Sequence, residues 1–534
     1  MSEMATFQQE DEQLLLQPLQ AQMSQRKSFS VVDKYEKQSL LIAINCVAGL
    51  AIFFFGYDQG MMSGVNNSPD YIQLMDFGYV DESGIHITNS AKQGGIVAIY
   101  YVGTLVGSFL GGHIGDRLGR ISSIGIGSGW AIIGAVLQCS AQSSSWMSFA
   151  RVMNGVGTGI LNTIVPVWSA ETAEYKSRGM FIALEFTLNI FGVAVAYWLE
   201  YALSFVGDGT TALRWRVPIA VQIVPLVALL FVIFAFPESP RWLVKVGRHD
   251  EAFYILRRLR GTDTTEADDE YHSIVKIVEL EHKTSAQNSY FRMFFGIGSG
   301  DLHLGRRVQL VVWLQILQEW IGIAGVTVYA PTIFTNAGFN ANQSELLSGL
   351  NNILYTFSTL VNAVTVDRIG RRRTLYWGSV GQALTMYFAG SFSSAASESS
   401  GYGVGAAVCI FAYTSFFGAT WLVVPWLYPT EIFPLEVRAR GNAFGVAGWS
   451  VGNGWLTLLC PVMFNRYRER TLYVFAVVNI LTLPIVWALY PETNQRTLEE
   501  IDLLFASKSP FVWDAEREFA RLTDASRNGD VLLN

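Results

Sequence analysis

The chain has 534 residues, 51% of them hydrophobic and only 15% charged, with 34 phenylalanines and 49 glycines. A soluble protein of this size carries more charge and fewer aromatics, so the composition is that of a polytopic membrane protein. The formal net charge of −7 provides no basic footprint for nucleic acid.

Residues 1–38 are polar, lack a basic-then-apolar leader, and are expected to form a cytosolic tail. The first apolar run, Leu41 to Gly64, is long enough to cross a bilayer and holds one ionisable side chain, Asp58. A charge near the middle of a spanning helix costs about 2.5–3.5 kcal/mol on insertion scales, which makes Asp58 a functional residue to be read with its partner. That partner is expected to be Arg151. The four cysteines, Cys46, Cys139, Cys409 and Cys460, lie in or at the ends of apolar runs without zinc or disulfide spacing and read as packing residues.

Apolar stretches predict helical spans near 39–64, 93–114, 121–141, 146–170, 179–203 and 214–236. A second series follows near 308–335, 345–366, 373–395, 403–429, 441–463 and 471–490. The expected fold is therefore an all-α membrane protein of twelve transmembrane helices in two six-helix bundles, residues 39–236 and 308–490. Between them, residues 237–307 form a charged insert whose charges recur at helical spacing, so it reads as short surface helices. Residues 491–534 form a second cytosolic tail, with at most one short amphipathic helix after Leu504. Lys and Arg concentrate in the N-terminal tail, the insert and two short turns, and are absent from the loop 66–89. The positive-inside rule then places both termini, the insert and those turns in the cytosol. On that topology the sequons at Asn66 and Asn342 fall outside and are candidate glycan acceptors, or chance occurrences of a short pattern.

The two halves repeat three features. After the second span of each comes a charged turn, Gly115-Asp116-Arg117-Leu118-Gly119-Arg120 and Asp367-Arg368-Ile369-Gly370-Arg371. After the fourth, a glutamate precedes an arginine by seven residues: Glu171 with Arg178, Glu431 with Arg438. After the sixth comes Pro-Glu, with Glu238 and Glu492. Isolated surface pairs stabilise by at most about 1 kcal/mol, so matched sets suggest a latch that closes the cytosolic face; topology signalling is the plainer alternative. Two six-span bundles that rock about a central site make a transporter.

These residues resemble the sugar porter family of the major facilitator superfamily, in its fungal form. The motifs are GDRLGR, Arg151 followed by Gly155, Gly157 and Gly159, PESPRWL, DRIGRRRT, PTEIFPLEVRARG and PETNQRTLEEID. The resemblance implies the major facilitator fold and proton coupling at Asp58 through Arg151. It also implies substrate contacts at Gln318, Tyr329 and Trp426. The three glycines are expected to pack the fourth span against the first.

At the other binding positions the sequence departs from the family. Glu319 stands where a second glutamine is usual, Phe186 takes the fifth-span glutamine position beside Glu185, and Trp449 is followed by Asn453 a turn later. Glu319 and Glu185 could replace the lost amides, act as further protonation sites, or pair with a neighbouring helix. The reading is a proton-coupled symporter importing a hexose or related monosaccharide across the plasma membrane. The alternatives are a disaccharide or polyol symporter on the same fold, or a non-transporting sensor. Expected partners are a small sugar or polyol and the lipid bilayer, with one chain as the working unit. No enzyme constellation, metal site or cofactor is expected beyond the proton itself.

Overall fold

The computed structural model describes residues 31–527 apart from 82–83, 174–177, 262–264, 285–288, 299–301, 435–436, 495, 497, 506 and 508. Most of the expected N-terminal tail lies outside the described residues. Long helices occupy each stretch expected to span. The first half holds α1 (Lys37–Val65), α2 (Ser90–Leu118), α3 (Arg120–Cys139), α4 (Ser144–Thr172), α5 (Arg178–Leu203) and α6 (Leu213–Ala235). The second holds α7 (Leu304–Asn336), α8 (Ala341–Ile369), α9 (Arg371–Ser394), α10 (Ser400–Ile432), α11 (Arg438–Tyr467) and α12 (Thr471–Leu489).

Among the described residues, 8 segments are long and apolar enough to cross a bilayer by length and composition alone, the last of them running through α11 and α12. α4, α8 and α9 fall outside that set. Their inner faces are polar: Asn154, Thr158 and Asn162 on α4, Asn351, Asn352 and Asn362 on α8, and Gln382 on α9 are all buried. Apolar side chains point outward instead, with Phe231 76% and Trp377 71% exposed. A helix that hides amides and shows aromatics suits hydrocarbon rather than water.

Within the first half α2 and α3 pack on α4, and α1 packs on α5; within the second α9 packs on α10 and α12, and α7 on α11. The halves meet along α2 with α11 and along α5 with α8. Small residues allow these approaches. A Cβ on Gly103 or Gly107 of α2 would strike the α4 backbone at Val152 and Val156, and one on Gly155 or Gly159 would strike α2 at Tyr100 and Thr104. Gly157 instead faces Ala131 of α3. The glycine stripe therefore holds α4 to α2 and α3, which corrects the expectation that it meets the first span.

The two ends of the bundle differ. At one end a hairpin that the sequence reading treated as plain loop pairs β1 (Gly78–Asp81) with β2 (Gly84–Ile87), Tyr79 opposite His86. At the other end lies the insert, with helices at Pro240–Lys245, His249–Arg260, Thr265–Thr284 and Tyr290–Phe295. Its second helix buries Ala252, Ile255, Leu256 and Leu259 in one cluster with Leu40, Leu41 and Ile44 of α1. Arg260 closes the end of α4, donating to the Thr172 and Ala173 carbonyls at 3.2 Å each, where a cation also meets the negative pole of the helix. Among the described residues beyond α12 there are two helices, Leu498–Phe505 and Val512–Arg527, rather than one. Arg307 pairs with Asp502 at 2.7 Å and ties the first of them to α7.

Candidate functional site

Asp58 lies on α1 where that helix is pressed against α5: a Cβ on Gly56 or Gly60 would overlap the backbone of Asn189 or Val193. The carboxyl is 1% exposed, and neither of its oxygens has a hydrogen-bond partner. Arg151, 2% exposed, is close enough for its charge to act on Asp58 but forms no ion pair with it. Instead one guanidinium nitrogen donates to the Val97 carbonyl at 3.4 Å, and the group lies 4.8 Å over the Tyr100 ring. The expected direct pair is thus not made in this structure. Because α4 is packed on α2, Arg151 is directed along α2, and Tyr100 of that helix takes its charge as a cation–π contact.

The next residue on α2, Tyr101, reaches the central cavity. Its ring meets Trp449 at 5.2 Å; Trp449 in turn meets Trp426 at 5.9 Å and Phe55 at 5.1 Å. Phe186 lies 5.0 Å from Trp426. Six of the eight expected substrate residues line this cavity: Gln318, Glu319, Phe186, Trp426, Trp449 and Asn453. Tyr329 does not, because its hydroxyl is spent on the Thr457 carbonyl at 3.1 Å, joining α7 to α11. Glu185 does not either; it turns toward Ser169 of α4. Phe55, Gln59, Tyr101 and Asn189 also line the cavity and were not anticipated. A usable signal existed for two of them, since Phe55 and Gln59 flank Asp58 on the same helix.

Two of the helices that supply the second half's contacts, α7 and α10, are broken there. α7 widens over Glu319–Ile323, with Gly322 at φ 117, a conformation that favours glycine. The Ile321 carbonyl freed by the break accepts from Tyr413 at 3.1 Å and Asn479 at 3.0 Å. α10 turns at Trp421–Val423, just before Pro425, and Gln318 donates to the loosened Trp421 and Leu422 carbonyls at 2.9 and 3.0 Å. The Gln318 oxygen is buried and unpartnered at the cavity wall. Discontinuous helices whose backbone is satisfied by neighbours, around a cavity, are the usual form of a midplane solute site.

Contacts between the two halves cross both ends of the cavity. At the hairpin end Arg214 of α6 pairs with Glu345 of α8 at 3.0 Å, and Asn465 of α11 reaches Ser90 of α2 at 2.8 Å. At the insert end Arg440 of α11 pairs with Asp116 of α2 at 3.0 Å, and Asn442 donates to the Thr163 carbonyl of α4 at 2.8 Å. About 50 Å³ is left for water-sized centres, room for a few waters.

The charge sets at the insert end are built differently from the expectation. Glu171 is held by Arg120, whose Nε and Nη2 each donate at 2.9 Å. Glu431 is held in the same fork by Arg371, at 3.2 and 2.6 Å. Arg117 and Arg368 are exposed and are not the partners. The reason is the glycine between: Gly119 (φ 91) and Gly370 (φ 93) reverse the chain, so the arginine after each glycine points inward. Glu238 accepts from the Arg120 and Ile121 N–H groups at 2.8 and 3.1 Å, and Glu492 from those of Arg371 and Arg372 at 2.9 and 3.0 Å. These two glutamates cap α3 and α9, where free N–H groups favour an anion. Arg438 is buried, and its charge acts on Glu171 across the two halves; the side chain of Arg178 lies outside the described residues. Of the two sequons, Asn66 is 4% exposed with Ser68 fully buried, so it cannot carry a glycan in this fold, whereas Asn342 is exposed in the first turn of α8.

Two packed helical halves around a polar and aromatic cavity, with a buried acid beside it, define a multi-pass membrane transporter. The chain belongs to the sugar (and other) transporter family, whose model matches residues 44–505. It is 30% identical over 478 residues to Sugar transporter STL1 of Saccharomyces cerevisiae, covering 88% of this chain and 82% of that one. The fold superposes on a proton:xylose symporter of the major facilitator superfamily, XylE bound to 6-bromo-6-deoxy-D-glucose, with a TM-score of 0.76. Identity there is 26%, over 88% of this chain and 100% of that one. Against the inward-open conformation of the xylose transporter XylE from E. coli the TM-score falls to 0.64 at 25% identity, over 87% and 99% of the two chains. The family and these relatives are transporters, not enzymes.

Proposed function

We propose that the protein is a proton-coupled symporter that carries a neutral monosaccharide, a hexose or a close relative, inward across the plasma membrane. In this reading twelve helices span the bilayer, and the insert and both termini are cytosolic. The observation that carries it is Asp58: a buried carboxyl that makes no ion pair, with the Tyr100 hydroxyl beside it, near an arginine that lies against Tyr100 and Val97. An ionised carboxylate left so would cost several kcal/mol (roughly, for an unpaired buried ion), so the arrangement is that of a carboxyl that has exchanged its cation for a proton. Loss of the proton restores the need for Arg151, and the swing of that side chain pulls on Tyr100 and hence on Tyr101 at the cavity. The membrane potential adds about 2.3 kcal/mol per charge per 100 mV to inward movement of the loaded site. The likeness of the fold to a proton:xylose symporter supports the same chemistry.

With both ends bridged, this conformation is read as a step between outward and inward openings, and Arg214–Glu345 and Arg440–Asp116 are the contacts that alternate. Gln318, Glu319, Asn189 and Asn453 offer hydrogen bonds to hydroxyls. A second reading, a smaller acyclic polyol, is favoured by one observation: Phe186 and Phe55 crowd Trp426, the ring that a pyranose C–H face would use. The test is uptake of labelled solute by a transporter-null cell expressing the wild type or Asp58→Asn. The variant is expected to equilibrate solute without concentrating it; unchanged accumulation would overturn the coupling role of Asp58.

A further inference from the structure

A second buried acid in the first half is used by nothing described so far. Glu185 on α5 is 1% exposed and lies one turn toward the insert end from Asn189, on the same helix face. Asn189 lines the cavity and donates to the Ile52 carbonyl of α1 at 3.2 Å. One Glu185 oxygen is hydrogen-bonded to Ser169 of α4; the other is buried without a partner. Ser169 also sits 3.4 Å from Oδ1 of Asn45 on α1. The Asn45 amide is oriented by its own Nδ2, which donates to the Leu41 carbonyl at 2.8 Å, so the oxygen is the atom that faces Ser169.

Serine has one proton for these two acceptors. When Glu185 is a carboxylate, Ser169 must donate to it, and the Asn45 oxygen goes without. When Glu185 carries a proton, it can donate to Ser169, and Ser169 is free to donate to Asn45. The three side chains thus form a chain with two complete arrangements that differ by one proton. The charged groups on the elements packed around Glu185 are accounted for elsewhere. α1 has no charge between Lys37 and Asp58, and α8 has none between Glu345 and Asp367. Glu171 on α4 is held by Arg120, and Glu431 on α10 by Arg371. On α5 itself Arg178, whose side chain lies outside the described residues, stands two turns nearer the insert end, and Glu200 near the hairpin end accepts the Gly64 and Val65 N–H groups of α1 at 2.9 and 3.2 Å.

We propose that Glu185 is the second proton-carrying side chain of this transporter, the group through which the coupling proton leaves toward the insert end. The proposal rests on proton coupling at Asp58. Asn189 packs against Gly56, two residues from Asp58, and Glu185 stands one turn, about 6 Å at 1.5 Å per residue, nearer the insert end. The transfer between the two acids runs through water once the cavity opens there. The Asp58 O–H bond breaks and its carboxylate pairs with Arg151. The water that enters there also hydrates Glu185, whose carboxylic acid, buried and bonded to Ser169 until then, loses its proton to bulk water. The carboxylate so formed takes the proton that water carries from Asp58 and returns to the acid.

The test uses the full chain reconstituted in liposomes, with Glu185→Gln, Glu185→Asp and Asp58→Asn. Glutamine keeps the shape and can still donate to Ser169, so a purely structural role survives that change. Infrared difference spectra between acid and alkaline pH read the protonated-carboxyl C=O stretch without any solute. Among the titrating bands of the wild type, one is expected to be lost in Asp58→Asn and a different one in Glu185→Gln. With D-glucose and xylitol as labelled probes, Glu185→Gln should lower net uptake driven by a pH gradient at least about tenfold, the scale of a lost proton-transfer group. It should leave solute exchange, which needs no proton release, within twofold, and Glu185→Asp should restore net uptake in part. If no band disappears in Glu185→Gln, or net uptake and exchange fall together, the proposal is wrong. If the wild-type spectrum lacks the Asp58 band, the coupling reading itself fails.

Discussion

The two halves of the molecule carry the same charge set at the insert end and different chemistry at the centre. Arg120, Glu171 and Glu238 in the first half and Arg371, Glu431 and Glu492 in the second adopt one geometry: a two-pronged arginine on a glutamate, a left-handed glycine, and a glutamate capping the next helix. At mid-height the likeness ends. The first half holds the buried acids Asp58 and Glu185 and the arginine Arg151 on unbroken helices, while the second holds Gln318, Glu319, Trp426 and Trp449 around the breaks in α7 and α10. What was duplicated is the clamp that holds each half together. What diverged is the work: in the reading proposed here, the first half handles the proton and the second the solute.

That division can be broken experimentally. The largest effect is expected from Arg120→Ala or Arg371→Ala, each of which strands a buried glutamate and costs about 3–5 kcal/mol. Thermal unfolding in detergent should show a large and similar loss for both; a large loss in one half only would mean that the sets are not equivalent. Next come Gly119→Ala and Gly370→Ala. A side chain in the left-handed region costs about 1–2 kcal/mol, and the added Cβ would also press on the Glu238 or Glu492 carboxylate. Both variants should unfold several degrees early, by the same assay.

A smaller stability effect and a sharper functional one are expected for Phe186→Gln, which uncovers Trp426 on one side. In a competition panel, pyranoses should gain against acyclic polyols; an unchanged ranking would mean that Phe186 does not shape the site. The smallest change should come from Arg117→Ala and Arg368→Ala, within about 0.5 kcal/mol for exposed positions. A loss equal to that of Arg120→Ala would return these residues to the clamp.

Much of this was legible in the sequence, and what was hidden has physical reasons. Helix positions followed from apolar length, and the repeat placed Glu171, Glu238, Glu431 and Glu492 at one end. Arg117 and Arg368 were expected in the gate and are exposed, while Arg120 and Arg371 hold the glutamates, because spacing along the chain does not reveal that Gly119 and Gly370 reverse it. Six cavity residues were found by position in the family pattern. Tyr329 and Glu185 were lost to neighbours on α11 and α4 that a linear reading does not place. A direct Asp58–Arg151 ion pair is not made in this structure for the same reason: the glycines that carry Arg151 lean on α2, and Tyr100 stands there.

The central claim is that the solute crosses with a proton held by Asp58. It is tested most directly by adding D-glucose, or xylitol, to a lightly buffered suspension of cells expressing the protein and following external pH with an electrode. The account predicts alkalinisation in step with solute entry for the wild type and none for Asp58→Asn. Solute entry through the wild type without any alkalinisation would contradict it.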